Sequence, residues 1–170
     1  IPRCGGSVLP VTDSLRYALD PAHTPHADAA GRYEIGAPPV VIWNITNTCN
    51  MACPHCYSAA KRVPTPDELS HDAALRLVEH LADSNIRVLI FSGGEPLLRP
   101  DALELIERAH KRGIMCQLST NGVLITTEMA ARLKSAGVRY VGVSIDGLAE
   151  VNDKYRALEG AHELALSGIG

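Results

Sequence analysis

Three short apolar segments recur about 25 residues apart, and each is followed by a segment with apolar residues at helical spacing. Strands are predicted at residues 87–91, 114–119 and 140–145, with an earlier one at 40–45. Helices are predicted at residues 70–83, 101–112 and 127–136, with a further helix beginning near Gly160. This alternation is typical of an α/β fold built on a parallel sheet.

Two architectures fit the alternation, a doubly wound sheet and a partial β/α barrel. Each predicted strand is followed by polar or glycine residues at its carboxyl end, where barrels build their active sites. In the fourth strand, Val141, Val143 and Ile145 alternate with Gly142 and Ser144, so the two sets face opposite sides. A small and polar face suits a lumen that admits a ligand. The sequence therefore favours a partial parallel β/α barrel.

The chain divides by composition into two parts. Residues 1–38 hold five prolines and lack sustained periodicity, so they are predicted to be an N-terminal leader ahead of a core at 39–170. No role is assigned to Cys4, His23 or His26. Cys116, flanked by apolar residues, is predicted to be a buried core residue.

Composition excludes several classes of protein. Hydrophobic residues make up 46% of the chain and charged residues 21%, which indicates a globular domain. A net charge of −3 with only seven aromatic residues argues against nucleic-acid partners. No apolar run approaches the roughly 20 residues that cross a bilayer. Because no secretory signal opens the chain and its cysteines are clustered, a cytoplasmic protein is expected.

Three cysteines, Cys49, Cys53 and Cys56, lie within eight residues after the first predicted strand. Thiolates select zinc or iron–sulfur clusters over hard cations. Most cluster proteins provide four cysteines. Three thiolates on a four-iron cube leave one iron without a protein ligand, which is what a substrate-binding cluster requires.

Two alternatives stay open for this loop. One is a Cys3His zinc site that uses His55, although structural zinc sites are normally closed by two separated pairs of ligands. The other is a non-enzymatic thiolate domain that binds a metal or carries electrons. A count of iron, sulfide and zinc distinguishes both from an open cluster.

Four motifs stand in a fixed order at the ends of the four predicted strands. They are Cys-x-x-x-Cys-x-x-Cys-Tyr at 49–57, Gly-Gly-Glu-Pro at 93–96, Ser-Thr-Asn-Gly at 119–122 and Ser-Ile-Asp-Gly at 144–147. In this order they resemble the motifs of the radical S-adenosylmethionine (SAM) superfamily, from about Val40 to Gly170.

The resemblance implies a [4Fe–4S] cluster on the three cysteines, SAM at the open iron and cleavage of SAM to a 5′-deoxyadenosyl radical. A low-potential electron donor, ferredoxin or flavodoxin, is implied as a partner. The implied cofactor-binding residues are Tyr57, Gly93, Gly94, Glu95, Thr120, Asn121, Ser144 and Asp146. The glycine pair and Asn121-Gly122 also suit tight turns, and Asp146 also suits a cap.

Further segments of the sequence resemble one particular group within this superfamily. Residues 13–17, 39–46, 143–148 and 151–156 resemble the haem-biosynthesis group of the superfamily, which includes a didecarboxysiroheme deacetylase and enzymes of haem d1 synthesis. This implies action on side chains of a siroheme-derived iron tetrapyrrole. The alternative is a peptide maturase of the same superfamily with an auxiliary cluster domain.

The predicted core is shorter than that of the family. The family core has six strands, whereas four βα units are predicted here, so we expect a fold truncated after about four βα units. A second [4Fe–4S] cluster would belong to a further C-terminal part.

Overall fold

The computed structural model describes residues 40–169, in which four strands alternate with helices. The strands are β1 (Val40–Thr46), β2 (Val88–Gly93), β3 (Met115–Thr120) and β4 (Val138–Val143). The helices are α1 (His71–Asp83), α2 (Ala102–Lys111), α3 (Thr127–Ala136), α4 (Ala149–Arg156) and α5 (Ala161–Ile169), with one 3-10 turn at Pro96–Leu98. The predicted leader, with Cys4, His23 and His26, lies outside the described residues.

The sheet order is β1-β2-β3-β4, so each strand lies beside its neighbour in sequence. The four strands are parallel; pairing runs from Val88–Met115 to Phe91–Leu118 between β2 and β3. A doubly wound sheet reverses its strand order at a switch point. No such reversal occurs among residues 40–169, which confirms the partial β/α barrel.

Local capping explains why the helices begin and end where they do. Ser70 accepts a hydrogen bond from the Ala73 amide at the start of α1, and Thr126 accepts one from the Met129 amide at the start of α3. Helix α3 has the predicted bounds and ends at Gly137, whose φ of 96° is left-handed.

The core lies between the sheet and its helices. Helix α2 contributes one face to it, namely Ala102, Leu105, Ile106 and Ala109. Trp43 of β1 packs on Phe91 of β2 with ring centroids 6.1 Å apart. Cys116 is fully buried, as predicted, and burial raises the pKa of its thiol to about 12.

At the C-terminal end, the bounds of one predicted strand are wrong and one helix was missed. Strand β4 begins and ends two residues earlier than predicted, because Gly137 leads directly into it, so Ser144 and Asp146 lie in the following loop. Helix α4 was not predicted, because its sequence is polar and has no apolar periodicity. Among residues 40–169, no helix is long and apolar enough to span a membrane.

Candidate functional site

A cavity of about 300 Å³ lies at the carboxyl ends of the strands. The loops after all four strands contribute to its wall. The structure brings to it every predicted site residue except Glu95: Cys49, Cys53, Cys56, Tyr57, Gly93, Gly94, Thr120, Asn121, Ser144 and Asp146. Met51 and Arg156, which were not predicted as site residues, also line it, as does His55, named above only for the zinc alternative.

The cysteine loop, residues 49–60, is closed at its base. The Cys49 amide donates to the Lys61 carbonyl and the Lys61 amide donates to the Asn47 carbonyl, both at 2.7 Å. The Glu68 carboxylate accepts from the Thr46 hydroxyl at 3.0 Å and from the Asn47 amide at 2.9 Å. These contacts fix the point at which the loop leaves β1.

The three thiols of the loop are free and differ in their surroundings. Cys49 is buried, and burial raises the pKa of its thiol although the Met51 amide hydrogen bond opposes the rise. For Cys56, burial also acts to raise the pKa. It is outweighed by hydrogen bonds from the Ser58 hydroxyl and nearby backbone amides, so the pKa is lowered. Cys56 is therefore the more acidic of these two thiols.

The donor set on the cavity consists of three thiols. Among residues 40–169, no group of three or more His, Cys, Asp or Glu side chains is arranged to hold one metal ion. This gives no support to a Cys3His zinc site, and the His55 ring instead contacts Asp146 and Tyr155. Three soft thiols on one cavity fit a cluster with one open corner.

The glycine pair has a structural role that the sequence did not reveal. A Cβ on Gly93, whose φ is +141°, would lie 2.2 Å from the Thr46 carbonyl oxygen. A Cβ on Gly94 would lie 2.3 Å from the Thr48 carbonyl oxygen. Both residues line the cavity, but what excludes a side chain is the backbone leading into the cysteine loop, rather than a ligand.

Glu95 does not face the cavity. Its carboxylate is fully buried and accepts hydrogen bonds from the Thr120 hydroxyl at 2.8 Å, the Asn121 amide at 2.9 Å and the Leu97 amide at 3.1 Å. Burial raises its pKa although these hydrogen bonds oppose the rise. Through these hydrogen bonds the Glu95 carboxylate joins the ends of β2 and β3.

Asn121 combines a turn with a contact to the cysteine loop. Its side-chain oxygen accepts from the Val123 amide at 3.1 Å, which confirms the turn interpretation. Its side-chain nitrogen donates to Asn50 at 2.7 Å and lies 4.0 Å from the Cys49 sulfur. Asn121 thus links the end of β3 to the loop that carries the thiols.

Tyr57 is 78% exposed, yet its hydroxyl is held at the cavity wall. The hydroxyl donates to the Asn44 side-chain oxygen at 3.2 Å and lies 3.3 Å from the Ser92 hydroxyl. These partners come from β1 and β2. The hydroxyl is therefore held at the strand ends while most of the side chain is open to solvent.

The loop after β4 carries a charged group. Asp146 Oδ2 lies 2.7 Å from Arg156 Nε, in ion-pair contact without the alignment of a hydrogen bond, and 3.5 Å from His55 Nε2. Sequence reasoning assigned no role to Arg156, although it ends the segment 151–156 that carried part of the family resemblance. Arg156 lies far from the cysteines in the sequence, so no spacing pattern links it to them.

Comparison with known proteins identifies relatives of this chain. It is 43% identical over 164 residues to the Fe-coproporphyrin III synthase of Methanosarcina barkeri, covering 96% of this chain and 40% of that protein. It is 40% identical over 149 residues to the AdoMet-dependent heme synthase of Nitratidesulfovibrio vulgaris, covering 86% and 41%. It is 41% identical over 156 residues to the pre-heme d1 synthase of Dinoroseobacter shibae, covering 91% and 38%.

The fold and the family agree. The structure of native anSMEcpe with bound AdoMet matches with a TM-score of 0.57 and 24% identity, over 76% of this chain and 41% of that one. The chain spans about 40% of the length of the curated relatives it matches. The family model described as the radical SAM superfamily matches residues 43–169. The chain belongs to the radical SAM superfamily.

Proposed function

We propose that this chain is the core of an enzyme that acts on side chains of an iron tetrapyrrole, using a [4Fe–4S] cluster and SAM. The observation that carries the proposal is the presence of three free thiols, Cys49, Cys53 and Cys56, on one cavity at the strand ends. The family implies both cofactors. When bound, they supply the reductive cleavage of SAM to a radical that removes a hydrogen atom from substrate.

The residues around the cavity have distinct tasks in this proposal. The three cysteines hold three corners of the cluster. The half-buried backbone of Gly93 and Gly94 lies against the base of the cysteine loop, and we assign its carbonyl groups to the ammonium of SAM. On the side away from the cavity, the hydrogen bond from the Thr120 hydroxyl to the Glu95 carboxylate holds the end of β2 against β3.

The remaining cavity residues suit the polar groups of SAM. The Ser144 hydroxyl and the Asn121 amide line the cavity on the β3 and β4 side, where we place the ribose and carboxylate. Tyr57 shields the mouth on the β1 and β2 side. We assign Asp146 differently, because two side chains of the protein already contact its carboxylate.

The substrate class rests on the relatives. Those reported above are named for the synthesis of Fe-coproporphyrin III, heme and pre-heme d1, at 40–43% identity. We propose a siroheme-derived tetrapyrrole as substrate, with didecarboxysiroheme deacetylation as the specific reaction. A low-potential ferredoxin or flavodoxin would supply the electron. The free cysteines among residues 40–169 fit the reducing cytoplasm.

A cysteine comparison tests the cluster. In the full protein, reconstituted without oxygen, Cys53→Ala should abolish both the broad iron–sulfur absorbance and the formation of 5′-deoxyadenosine. Cys116→Ala is the matched control, because this thiol is buried away from the cavity and should leave both signals intact. Retention of both signals in Cys53→Ala contradicts the proposal.

Metal and substrate assays test the number of clusters and the proposed substrate class. About four iron and four sulfide per chain indicate one cluster, about eight of each indicate the second cluster, and zinc alone contradicts the proposal. Didecarboxysiroheme should be converted, with 5′-deoxyadenosine formed in proportion. If a peptide is modified and the tetrapyrrole is not, the peptide-maturase alternative is correct.

A further inference from the structure

Helix α4 carries side chains that contact two segments, the loop after β4 and the start of α5. Asn152, almost fully buried, accepts from the Asp146 amide at 3.0 Å and so holds the loop after β4. Asp153 accepts from the Gly160 and His162 amides, at 2.6 Å and 2.8 Å, at the start of α5. Arg156 contacts the Asp146 carboxylate at 2.7 Å.

The same helix reaches the cysteine loop at two points. The Cys53 thiol lies 3.7 Å from the backbone carbonyl of Arg156 on the helix, and His55 lies 3.5 Å from Asp146 in the loop before it. The His55 ring also packs on Tyr155, with centroids 5.5 Å apart. Between Cys53 and His55 stands Pro54, whose ring fixes one backbone dihedral, so holding the imidazole also holds the neighbouring thiol.

The burial of Arg156 distinguishes this group from the surface ion pairs of Glu79. The side chain of Arg156 is 14% exposed, that of Asp146 is 29% exposed and that of His55 is 40% exposed. One carboxylate therefore stands between a nearly buried guanidinium on α4 and an imidazole on the cysteine loop. All three side chains border the cavity.

We propose that Asp146 is a positioning residue that joins the cysteine loop to α4 by contacting His55 and Arg156 together. It acts on the cluster site through Cys53 and does not contact SAM. This inference rests on the proposed function only in assigning Cys53 to the cluster. The joining contacts themselves involve protein side chains alone.

The test measures the reactivity of Cys53 in the metal-free, reduced full protein. Iodoacetamide is added at one fixed pH, and modification is followed cysteine by cysteine by mass spectrometry. The variants are Asp146→Asn, His55→Gln and the double variant. The matched control is Asp83→Asn, which removes a surface carboxylate that also lies 2.7 Å from an arginine, Arg112.

Each single variant should raise the alkylation rate of Cys53 about threefold or more, because the loop then opens more often. The double variant should show no further rise, since both substitutions break one connection. Asp83→Asn should match wild type. An unchanged rate in either single variant overturns the proposal, as does a double variant whose effect is the product of the two.

Cys116 reports on the fold in the same experiment, because it is fully buried. If Asp146→Asn also exposes Cys116, the proposal is judged on His55→Gln instead, because the His55 side chain is 40% exposed. A rise at Cys53 alone in that variant supports the proposal, and an unchanged rate or a rise at both thiols overturns it.

The reconstituted protein gives a second readout. Loss of iron to a chelator should be faster in both single variants than in Asp83→Asn. If wild type holds no cluster, the proposed function fails, while the alkylation rates still decide the inference. The two failures are thus distinguishable.

Discussion

The carboxylates after β2 and β4 both follow a strand end, yet they do different work. Glu95 is fully buried and receives neutral donors from β3 and from its own turn. Asp146 is partly exposed and contacts two basic side chains. The first carboxylate joins strands inside the sheet, whereas the second joins a loop to a helix at the surface. Position after a strand therefore does not determine function; the partner and the burial do.

The largest expected effect comes from removing the buried carboxylate. Glu95→Ala leaves the Thr120 hydroxyl and the amides of Leu97 and Asn121 without their acceptor. Unpaired buried donors are costly, so we expect the free energy of unfolding to fall by about 3–5 kcal/mol. Urea unfolding measures the loss. Glu95→Gln keeps one acceptor oxygen and should lose less; equal losses would contradict the hydrogen-bonding explanation.

The second effect concerns the backbone beside Glu95. Gly94→Ala places a Cβ 2.3 Å from the Thr48 carbonyl oxygen, so β2 and the base of the cysteine loop must separate. We expect the free energy of unfolding to fall by about 2–3 kcal/mol and the protein to bind less iron. Urea unfolding and an iron count measure the two.

Gly113→Ala is the matched control for that change. Gly113 has φ +82°, but a methyl group on it would meet no atom within 4 Å, so only the backbone conformation opposes the substitution. Gly113→Ala should lower the free energy of unfolding by about 1 kcal/mol and leave iron binding intact. Equal effects of both substitutions would show that glycine conformation, rather than close approach, governs the strand end.

The sequence predicted those features that depend on neighbouring residues. Helix α3 has the predicted bounds because Thr126 caps one end and Gly137 the other. Helix α4 was missed for two reasons. Leu148 precedes it without a side-chain cap, and its residues are mostly polar. The cysteines were visible because their spacing lies within one loop.

Contacts between distant residues could not be predicted in the same way. Glu95 meets Thr120 only because β2 and β3 pair in a particular register. Asp146 meets His55 only because the first and last described strand ends face one cavity. The sequence predicted Glu95, Thr120 and Asp146 as candidate site residues, but the contacts of their side chains depend on tertiary structure.

The third prediction uses pH to examine the buried carboxylate. Burial raises the pKa of Glu95 above its ordinary value of 4.5. Between the ordinary and the raised pKa the folded protein holds a proton that the unfolded chain has released, so this residue makes stability fall as pH rises. The stability of wild type relative to Glu95→Gln should therefore decline from about pH 4.5 upwards. Urea unfolding of both proteins across this range tests the sign, and a constant or rising difference contradicts it.

The smallest expected effect comes from the partly exposed carboxylate, Asp146. Asp146→Asn removes an ion pair that solvent partly screens, so the loss of unfolding free energy should be about 1 kcal/mol or less. About 1 M salt should shrink the loss further, because the Debye length falls to about 3 Å. Urea unfolding at low and high salt measures both values. Glu95→Ala should lose as much stability at either salt concentration, because its partners are neutral and buried. A salt-independent loss of several kcal/mol in Asp146→Asn would mean that this carboxylate, like Glu95, supports the core, and the contrast between the two strand ends would be wrong.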